Sequence, residues 1–450
     1  MIIGRGRLFC QPRRFYSNAD LKTPLIQALR ERGLLTQVTD EKVVAAAETP
    51  TKVYLGADPS AESLHLGNLV PLTVLLHFYL RGHTAMPLVG GATGMVGDPS
   101  GRMTEREAME NAKRERNVGK IHAQMTKFLE TGAKIAQKYG YSKPGSVEPV
   151  NNYSWWKDVS MLGFLSTYGR HIRVSQMLGR ESVRQRLKSE AGLGFNEFTY
   201  QILQAFDFYH LYKHHQCTIQ IGGNDQWGNI TAGTDLISRL IPDGSAFGVT
   251  VPLLTTPSGE KFGKSAGNAV FIDGKLTKPF HMYQYLVNSP DSVVESYLKL
   301  FTLIPLDEIA EITKKHMQAP EDRVAQHRLA SELTDMIHGE GSAANAQFVT
   351  AIMFENARAT SAEILTAFGS QGLLNELPAD EVIGKHWKNI LALLTGKSKS
   401  ETGRLVKQGG VYVGLDRRPL KSQFVESSDI EDGLLLIRIG KTEYYAVKLI

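Results

Sequence analysis

The stretch "TKVYLGADPSAESLHLGNLVPLTVLLHFYLRGH", residues 51–83, decides how the rest of the chain is read. Thr51 to Ser60 favour a strand that ends in an Asp-Pro turn. The following "LHLGNLVPLTVLLHFYLRGH" carries apolar residues at helical spacing and closes at Gly82. Strand, turn and helix in this order open a nucleotide-binding α/β unit. The start of such a helix favours phosphate, because its first N–H groups lack partners and the helix dipole is positive there. His65, Gly67 and Asn68 stand at that point. An imidazole and an amide add donors, and Gly67 lets a base approach the backbone. Taken alone, "HLGN" reads better as a chance helix start with a capping histidine.

The same scheme recurs. "TAMPLVGGATGMVGDPSG", residues 84–101, reads as a buried strand and a glycine-rich turn, but Gly91, Gly94 and Gly97 miss the G-x-G-x-x-G spacing of a dinucleotide fingerprint. Residues 102–120 are almost wholly polar and are expected to be exposed and mobile. Helical patterns fill 121–139 and 161–187, followed by the amphipathic "FNEFTYQILQAFDFYHLYKHH". "CTIQIGGNDQWGNITAGTDLISRL" returns to strand, turn and helix, and "VTVPLLTT" supplies a further strand. After it comes "SGEKFGKSAGN", residues 258–268. This is no P-loop: three residues separate Gly259 from Gly263 where a P-loop needs four, and "SAGNAVFID" favours turn and strand over the helix a P-loop opens. What remains is two lysines, Lys261 and Lys264, on a glycine-containing loop.

A chain of 450 residues implies two to three domains. Its 42% hydrophobic and 22% charged residues are those of a globular protein, and no apolar run approaches the roughly 18 residues of a membrane span. The first nineteen residues hold four arginines, aliphatic and aromatic side chains and no acid. That is the composition of a mitochondrial presequence, here ending near Ser17, or else of a basic arm that touches nucleic acid. Cys10 would leave with the presequence, and Cys217 alone cannot form an internal disulfide. His210, His214, His215 and Cys217 are the one metal-like cluster; they lie at the polar end of a helix, and no tightly bound protein metal is expected. Beyond Lys278 the pattern turns to successive helices. A linker of mixed polarity then leads to a last region with β-rich "GGVYVG" and "LLLIRIG". Between Lys385 and Lys421 nine basic residues face two acidic ones, a local excess greater than the +5 of the whole chain.

Together, "HLGN" and "KFGKS" resemble the two signatures of the class I aminoacyl-tRNA synthetases. "YLGADPSAESLHLGN", "GGATGMVGDPSG", "EFTYQILQAFDF" and "GGNDQWGN" resemble, in order and context, the tyrosyl branch of that family. The resemblance implies a Rossmann-like α/β parallel-sheet catalytic domain at 18–275, carrying a mobile loop and a dimer-interface insertion. An α-helical anticodon-recognition domain at 276–375 and a small α+β ribosomal-protein-type RNA-binding domain at 380–450 would follow. The presequence occupies 1–17.

The chemistry implied is attack of an amino-acid carboxylate on the α-phosphate of ATP, with pyrophosphate leaving. That step needs charge stabilisation and no general base. Lys261 and Lys264, with Ser265 as a neighbouring donor, suit a clamp on the phosphates of Mg2+-bound ATP. Arg102 and Arg106 match family positions that close over the same phosphates, and His65, Gly67 and Asn68 are implied to bind the nucleotide. Asn68 stands where the family signature has a second histidine, so it can hydrogen-bond but carries no charge. By resemblance Tyr54 and Asp207 read the substrate hydroxyl, since phenylalanine would leave both unsatisfied. Asp98, Tyr200 and Gln204 match positions for the substrate ammonium. Tyr200, Gln204 and Asp207 fall at i, i+4 and i+7, one face of a helix. Asp58, Asp225 and Gln226 are expected around the ribose and the reacting carboxylate, with Gly222 and Gly223 giving close approach and Thr93 in the same pocket.

The implied partners are L-tyrosine, ATP and tRNA(Tyr), in a homodimer of the mitochondrial matrix with no membrane attachment. Lys397, Lys399, Arg404, Lys407, Arg417 and Arg418 are implied to neutralise tRNA phosphates, although a solvated charged face has the same composition. "YGRHIRVSQMLGRESVRQR" suits the acceptor stem. The tryptophanyl enzyme also accommodates "HLGN", and an RNA-binding or splicing factor on a synthetase scaffold is the alternative from another class.

Overall fold

In the computed structural model the strand at Lys52–Ala57 lies inside a six-stranded sheet. The structure describes residues 21–100, 109–188, 192–254, 264–265, 268–355, 357–440 and 443–450. By internal packing the chain divides into two units, one of residues 1–60, 69–253 and 295–322, the other of 61–68, 254–294 and 323–450.

The first unit holds strands β1 (Gln37–Val38), β2 (Lys52–Ala57), β3 (Thr84–Val89), β4 (Val150–Asn151), β5 (Cys217–Gly223) and β6 (Phe247–Val251) in the order β1-β6-β5-β2-β3-β4. All neighbours run parallel except the short β1 against β6. Parallel neighbours need crossovers. The helices Leu69–Leu80 and Trp227–Leu240 supply those between β2 and β3 and between β5 and β6. In the first of these every residue but Pro71 is buried, which explains why it is apolar all round. From β2 the chain moves to β3 and β4 on one side, while β5 and β6 lie on the other. The carboxyl ends of β2 and β5 therefore flank a switch point, where open α/β sheets bind ligands.

In this unit two segments depart from the sequence reading. The expected exposed stretch 102–120 becomes, from Asn111, the first part of a helix reaching Ala136. Its polar residues mislead because Arg114 and Asn117 are buried, Asn117 donating to the Pro59 carbonyl at 3.1 Å. The helical pattern at 161–187 breaks into Met161–Thr167, Val174–Leu178 and Glu181–Leu187, interrupted near Gly169 and Gly179.

The second unit contains the helices Pro279–Val287, Val324–His338, Ser342–Phe354 and Ser361–Ser370. It also has a short antiparallel pair, β7 (Lys264–Ser265) with β8 (Asn268–Ala269). Its five-stranded sheet comprises β9 (Leu374–Leu377), β10 (Val411–Val413), β11 (Arg418–Pro419), β12 (Leu434–Ile439) and β13 (Glu443–Leu449), ordered β11-β10-β12-β13-β9. Residues 374–377, read as linker, are an edge strand parallel to β13. The helices Trp387–Thr395 and Lys399–Lys407 lie between β9 and β10 in the chain. Trp387, Val411, Val425, Leu435 and Val447 share one core of this sheet.

Candidate active site

The carboxyl end of β2 delivers Asp58, the turn after β3 delivers Thr93 and Asp98, and the helix Phe195–His215 delivers Tyr200, Gln204 and Asp207. These converge. Asp58 accepts from the Thr93 hydroxyl at 3.0 Å and from the Tyr200 phenol at 2.9 Å. Burial and the charges of Asp58 and Asp98 hold the Tyr200 phenol well above its usual range, so it remains a donor. Gln226 donates to Asp98 at 2.6 Å, and Asn229 donates to both Gln204 (3.0 Å) and Gln226 (3.2 Å). Asp98 has no ion-pair partner among the described residues, and it is buried. A buried carboxylate of this kind favours an ammonium ligand.

Close backbone approach is built in at two turns. A Cβ on Gly90 would lie 2.2 Å from Asp58 Oδ1 and 2.3 Å from Thr93 Oγ1, so only glycine allows that contact. At Gly223 an added Cβ would meet Asp225 Oδ1 at 2.5 Å, while at Gly222 it would crowd Gln226 and Ile230 at 3.0 Å.

Deeper in the same unit lie Tyr54 and Asp207, 1% and 2% exposed. The Tyr54 ring packs on Phe208 with centroids 5.3 Å apart, and its hydroxyl has no hydrogen-bond partner in the described structure. Burial and the nearby Asp207 charge raise this phenol well above its normal range, so it too stays protonated. Asp207 is held by residues the sequence reading missed. Trp155 and Trp156 both donate to Oδ1, at 2.8 and 2.7 Å, and Asn152 donates to Oδ2 at 2.9 Å. Burial nevertheless pushes the carboxyl up to about 7, the three donors opposing that rise. Asn152 also donates to Thr93 at 2.9 Å and accepts from the Ala92 N–H at 2.7 Å, so one amide joins the two halves of the pocket. His210 stacks on Trp155 at 4.5 Å and is neutral, burial and its neighbours His214 and His215 lowering it to about 4. Cys217 is a buried thiol pushed up to about 12 by desolvation, donating to the carbonyls of Lys52 and Ile219. Among the described residues no three histidine, cysteine or carboxylate side chains gather to hold a metal.

His65, Gly67 and Asn68 belong to the second unit, His65 immediately preceding the 3-10 turn Leu66–Asn68 that comes just before the Leu69–Leu80 helix in sequence. The Gly67 N–H donates to His65 Nδ1 at 3.0 Å, which puts the ring proton on Nε2. Asn68 Oδ1 accepts from the His65 N–H at 3.0 Å. This turn is stitched to residues far along the chain: Leu66 N–H donates to the Val270 carbonyl and Ile272 N–H to the Leu64 carbonyl, both at 3.0 Å, with His65 opposite Phe271. The first signature segment is thus tied by backbone pairing to residues 270–272, which follow the lysine loop in sequence. Lys261, Arg102 and Arg106 lie outside the described residues, and of Lys264 and Ser265 only the backbone, in β7, is described.

In the last region Lys399, Arg404 and Lys407 lie on one helix with no ion-pair partner among the described residues. Three other cationic candidates are engaged within the protein. Lys397 pairs with Glu443 (3.3 Å), Arg418 with Asp416 (3.1 Å) and Glu431 (3.7 Å), and Arg417 donates to the Met353 carbonyl (3.1 Å).

The chain as a whole matches known proteins. The family "tRNA synthetases class I (W and Y)" matches residues 46–355. Mitochondrial tyrosine–tRNA ligase of Saccharomyces cerevisiae is 44% identical over 439 residues, covering 94% of this chain and 89% of that protein. Tyrosine–tRNA ligase of Rhodopirellula baltica is 40% identical over 433 residues, covering 94% and 96%. Among solved structures, a C-terminally truncated mitochondrial tyrosyl-tRNA synthetase of Aspergillus nidulans superposes with a TM-score of 0.68 at 34% identity, covering 75% of this chain and 97% of that one. The chain belongs to the class I tRNA synthetases of the tryptophan and tyrosine group.

Proposed function

We propose that this chain is the ligase that activates L-tyrosine with ATP and transfers it to tRNA(Tyr) for mitochondrial translation. The observation that carries the reading is the Tyr54 and Asp207 pair: a buried phenol without a partner beside a buried carboxylate held by three N–H donors. A substrate hydroxyl can donate to Asp207 and accept from Tyr54, whereas an unsubstituted ring would bury both unsatisfied. Tryptophan, with one donor and no acceptor, would satisfy Asp207 alone.

Asp98 and Tyr200, with Gln204 in their network, take the ammonium, and Thr93 and Asp58 support them. Gln226 orients the substrate carboxylate. One of its oxygens attacks the α-phosphorus of ATP while the bond to the bridging oxygen of pyrophosphate breaks, and pyrophosphate leaves with Mg2+. Lys261, Lys264, Ser265, Arg102 and Arg106 neutralise that leaving group, and His65, Asn68, Gly67, Asp225, Gly222 and Gly223 hold the nucleotide. A terminal ribose hydroxyl of the tRNA then attacks the activated carbonyl and AMP leaves.

Residues 18–275 are read as the catalytic domain, 276–375 as the anticodon-recognition domain and 380–450 as an RNA-binding domain whose Lys399, Arg404 and Lys407 meet phosphates. Lys397, Arg417 and Arg418 would have to exchange their internal partners to join them. His171, Arg173, Arg180 and Arg239 line one cleft that suits the acceptor stem. A homodimer is supported by exposed apolar side chains in the first unit, with Met161 69%, Leu162 81% and Phe195 72% exposed. The matrix assignment rests on the basic, acid-free first nineteen residues and on relatives named as mitochondrial; a 1–17 presequence lies outside the described residues. No helix among the described residues is long and apolar enough to cross a membrane.

The test is ATP–pyrophosphate exchange offered tyrosine, phenylalanine or tryptophan separately. Exchange with tyrosine alone is expected; tryptophan-dependent exchange would move the substrate, and silence in folded protein would leave an RNA-binding role.

A further inference from the structure

Residues 384–387 and 423–425 are joined by backbone pairing: Gly384 N–H to the Val425 carbonyl at 2.8 Å, Val425 N–H to Lys385 at 2.9 Å and Trp387 N–H to Gln423 at 3.0 Å. His386 faces Phe424 across this bridge. Side chains alternate sides in extended pairing. Trp387 and Val425, each 1% exposed, enter the core, so His386 and Phe424 share the outer face, their rings 5.3 Å apart and inclined at 59°. His386 is also fixed by its Nδ1, which accepts from the Lys388 N–H at 3.3 Å and caps the following helix. Phe424 remains 51% exposed.

A single exposed apolar residue needs no explanation. This one, however, is rigidly mounted, and lysines stand near it and its partner in sequence. Lys385 precedes His386, Lys388 follows it by two positions, and Lys421 lies three before Phe424. None of the three has an ion-pair partner among the described residues, whereas Lys397, Arg418 and Lys448 do. We propose that Phe424, held by His386 and flanked by Lys385, Lys388 and Lys421, is a stacking platform for one unpaired base of the tRNA. Stacking uses the open face of the ring, and the lysines meet the phosphates on either side of the base. One ring is too small a patch for a stable protein interface. The inference rests on the reading of 380–450 as an RNA-binding domain.

The experiment measures tRNA(Tyr) affinity of the full chain across a salt series for Phe424→Ala, Phe424→Trp and the triple variant Lys399→Ala/Arg404→Ala/Lys407→Ala, with tyrosine-dependent ATP–pyrophosphate exchange as control. A stacked base contributes roughly 1–3 kcal/mol, so Phe424→Ala is expected to weaken binding about tenfold without changing the salt slope. Phe424→Trp should retain binding, and exchange should be unaltered in both. A normal affinity in Phe424→Ala beside a weakened triple variant would overturn the platform and leave the domain reading standing. Normal affinity in every variant would overturn both. A shallower salt slope in Phe424→Ala would also overturn it, by showing that the substitution acts through phosphate contacts.

Discussion

The pocket around Asp207 and the surface of the last domain offer a ligand opposite physics. Asp207 is 2% exposed, held by three N–H donors from a segment more than fifty residues earlier, and its partner phenol is sealed from water. Lys399, Arg404 and Lys407 sit on a solvated helix. In the pocket each missing hydrogen bond costs desolvation that water cannot repay. On the surface each lost cation forfeits only a screened interaction and released counterions. On the proposed function, discrimination belongs to the buried region and salt-sensitive affinity to the exposed one.

That contrast can be broken in graded steps. The largest loss is expected for Asp207→Asn: hydrogen bonds to charged groups contribute about 1.5–3 kcal/mol, so tyrosine kcat/KM in pyrophosphate exchange should drop by roughly 10- to 150-fold, with little change in tRNA affinity. The wild-type profile should carry the same signature. If substrate binding uses the ionised carboxylate as proposed, then, with burial raising Asp207 to about 7, kcat/KM should be full above that pH and decline as pH falls through it. The triple variant of the surface helix should behave in reverse. Three phosphate contacts at roughly 0.7–0.9 each would flatten the salt slope by about 2, while exchange stays unchanged.

Smaller effects sharpen the pocket. Trp156→Phe keeps ring packing on Phe164 and Phe206 but removes one donor to Asp207. Tyrosine kcat/KM is expected to fall about fivefold, and the acid limb should move to higher pH because the ionised carboxylate is less supported. Tyr54→Phe should be the mildest, lowering tyrosine kcat/KM by a few fold. Since the Tyr54 hydroxyl is buried without a partner, this variant should also melt slightly higher, a gain that differential scanning calorimetry would detect.

The α/β core was legible because β2 and the apolar helix after it write both periodicities into one stretch. The helix face bearing Tyr200, Gln204 and Asp207 was legible through its spacing. The donors to Asp207 were not: Asn152, Trp155 and Trp156 follow the two-residue strand β4, too short for a pattern. Nothing local marks an indole as a carboxylate ligand. Residues 111–120 were misread because two polar side chains are buried for their hydrogen bonds, and 374–377 because an edge strand of mixed polarity resembles linker. Composition also could not separate free cations from paired ones. Lys397 and Arg418 count as positive in any window, yet their carboxylate partners include residues far away in sequence.

The pairing of Leu64 and Leu66 with Ile272 and Val270 bears on how the chain is made. These backbone pairs cannot form until about 200 further residues have been synthesised. At the usual ~5–20 residues per second, this strip waits roughly 10–40 s after it emerges. The fixing of this turn is therefore a late event of biogenesis, and a stalled ribosome product ending before residue 270 would carry the histidine turn without the segment that pairs with it.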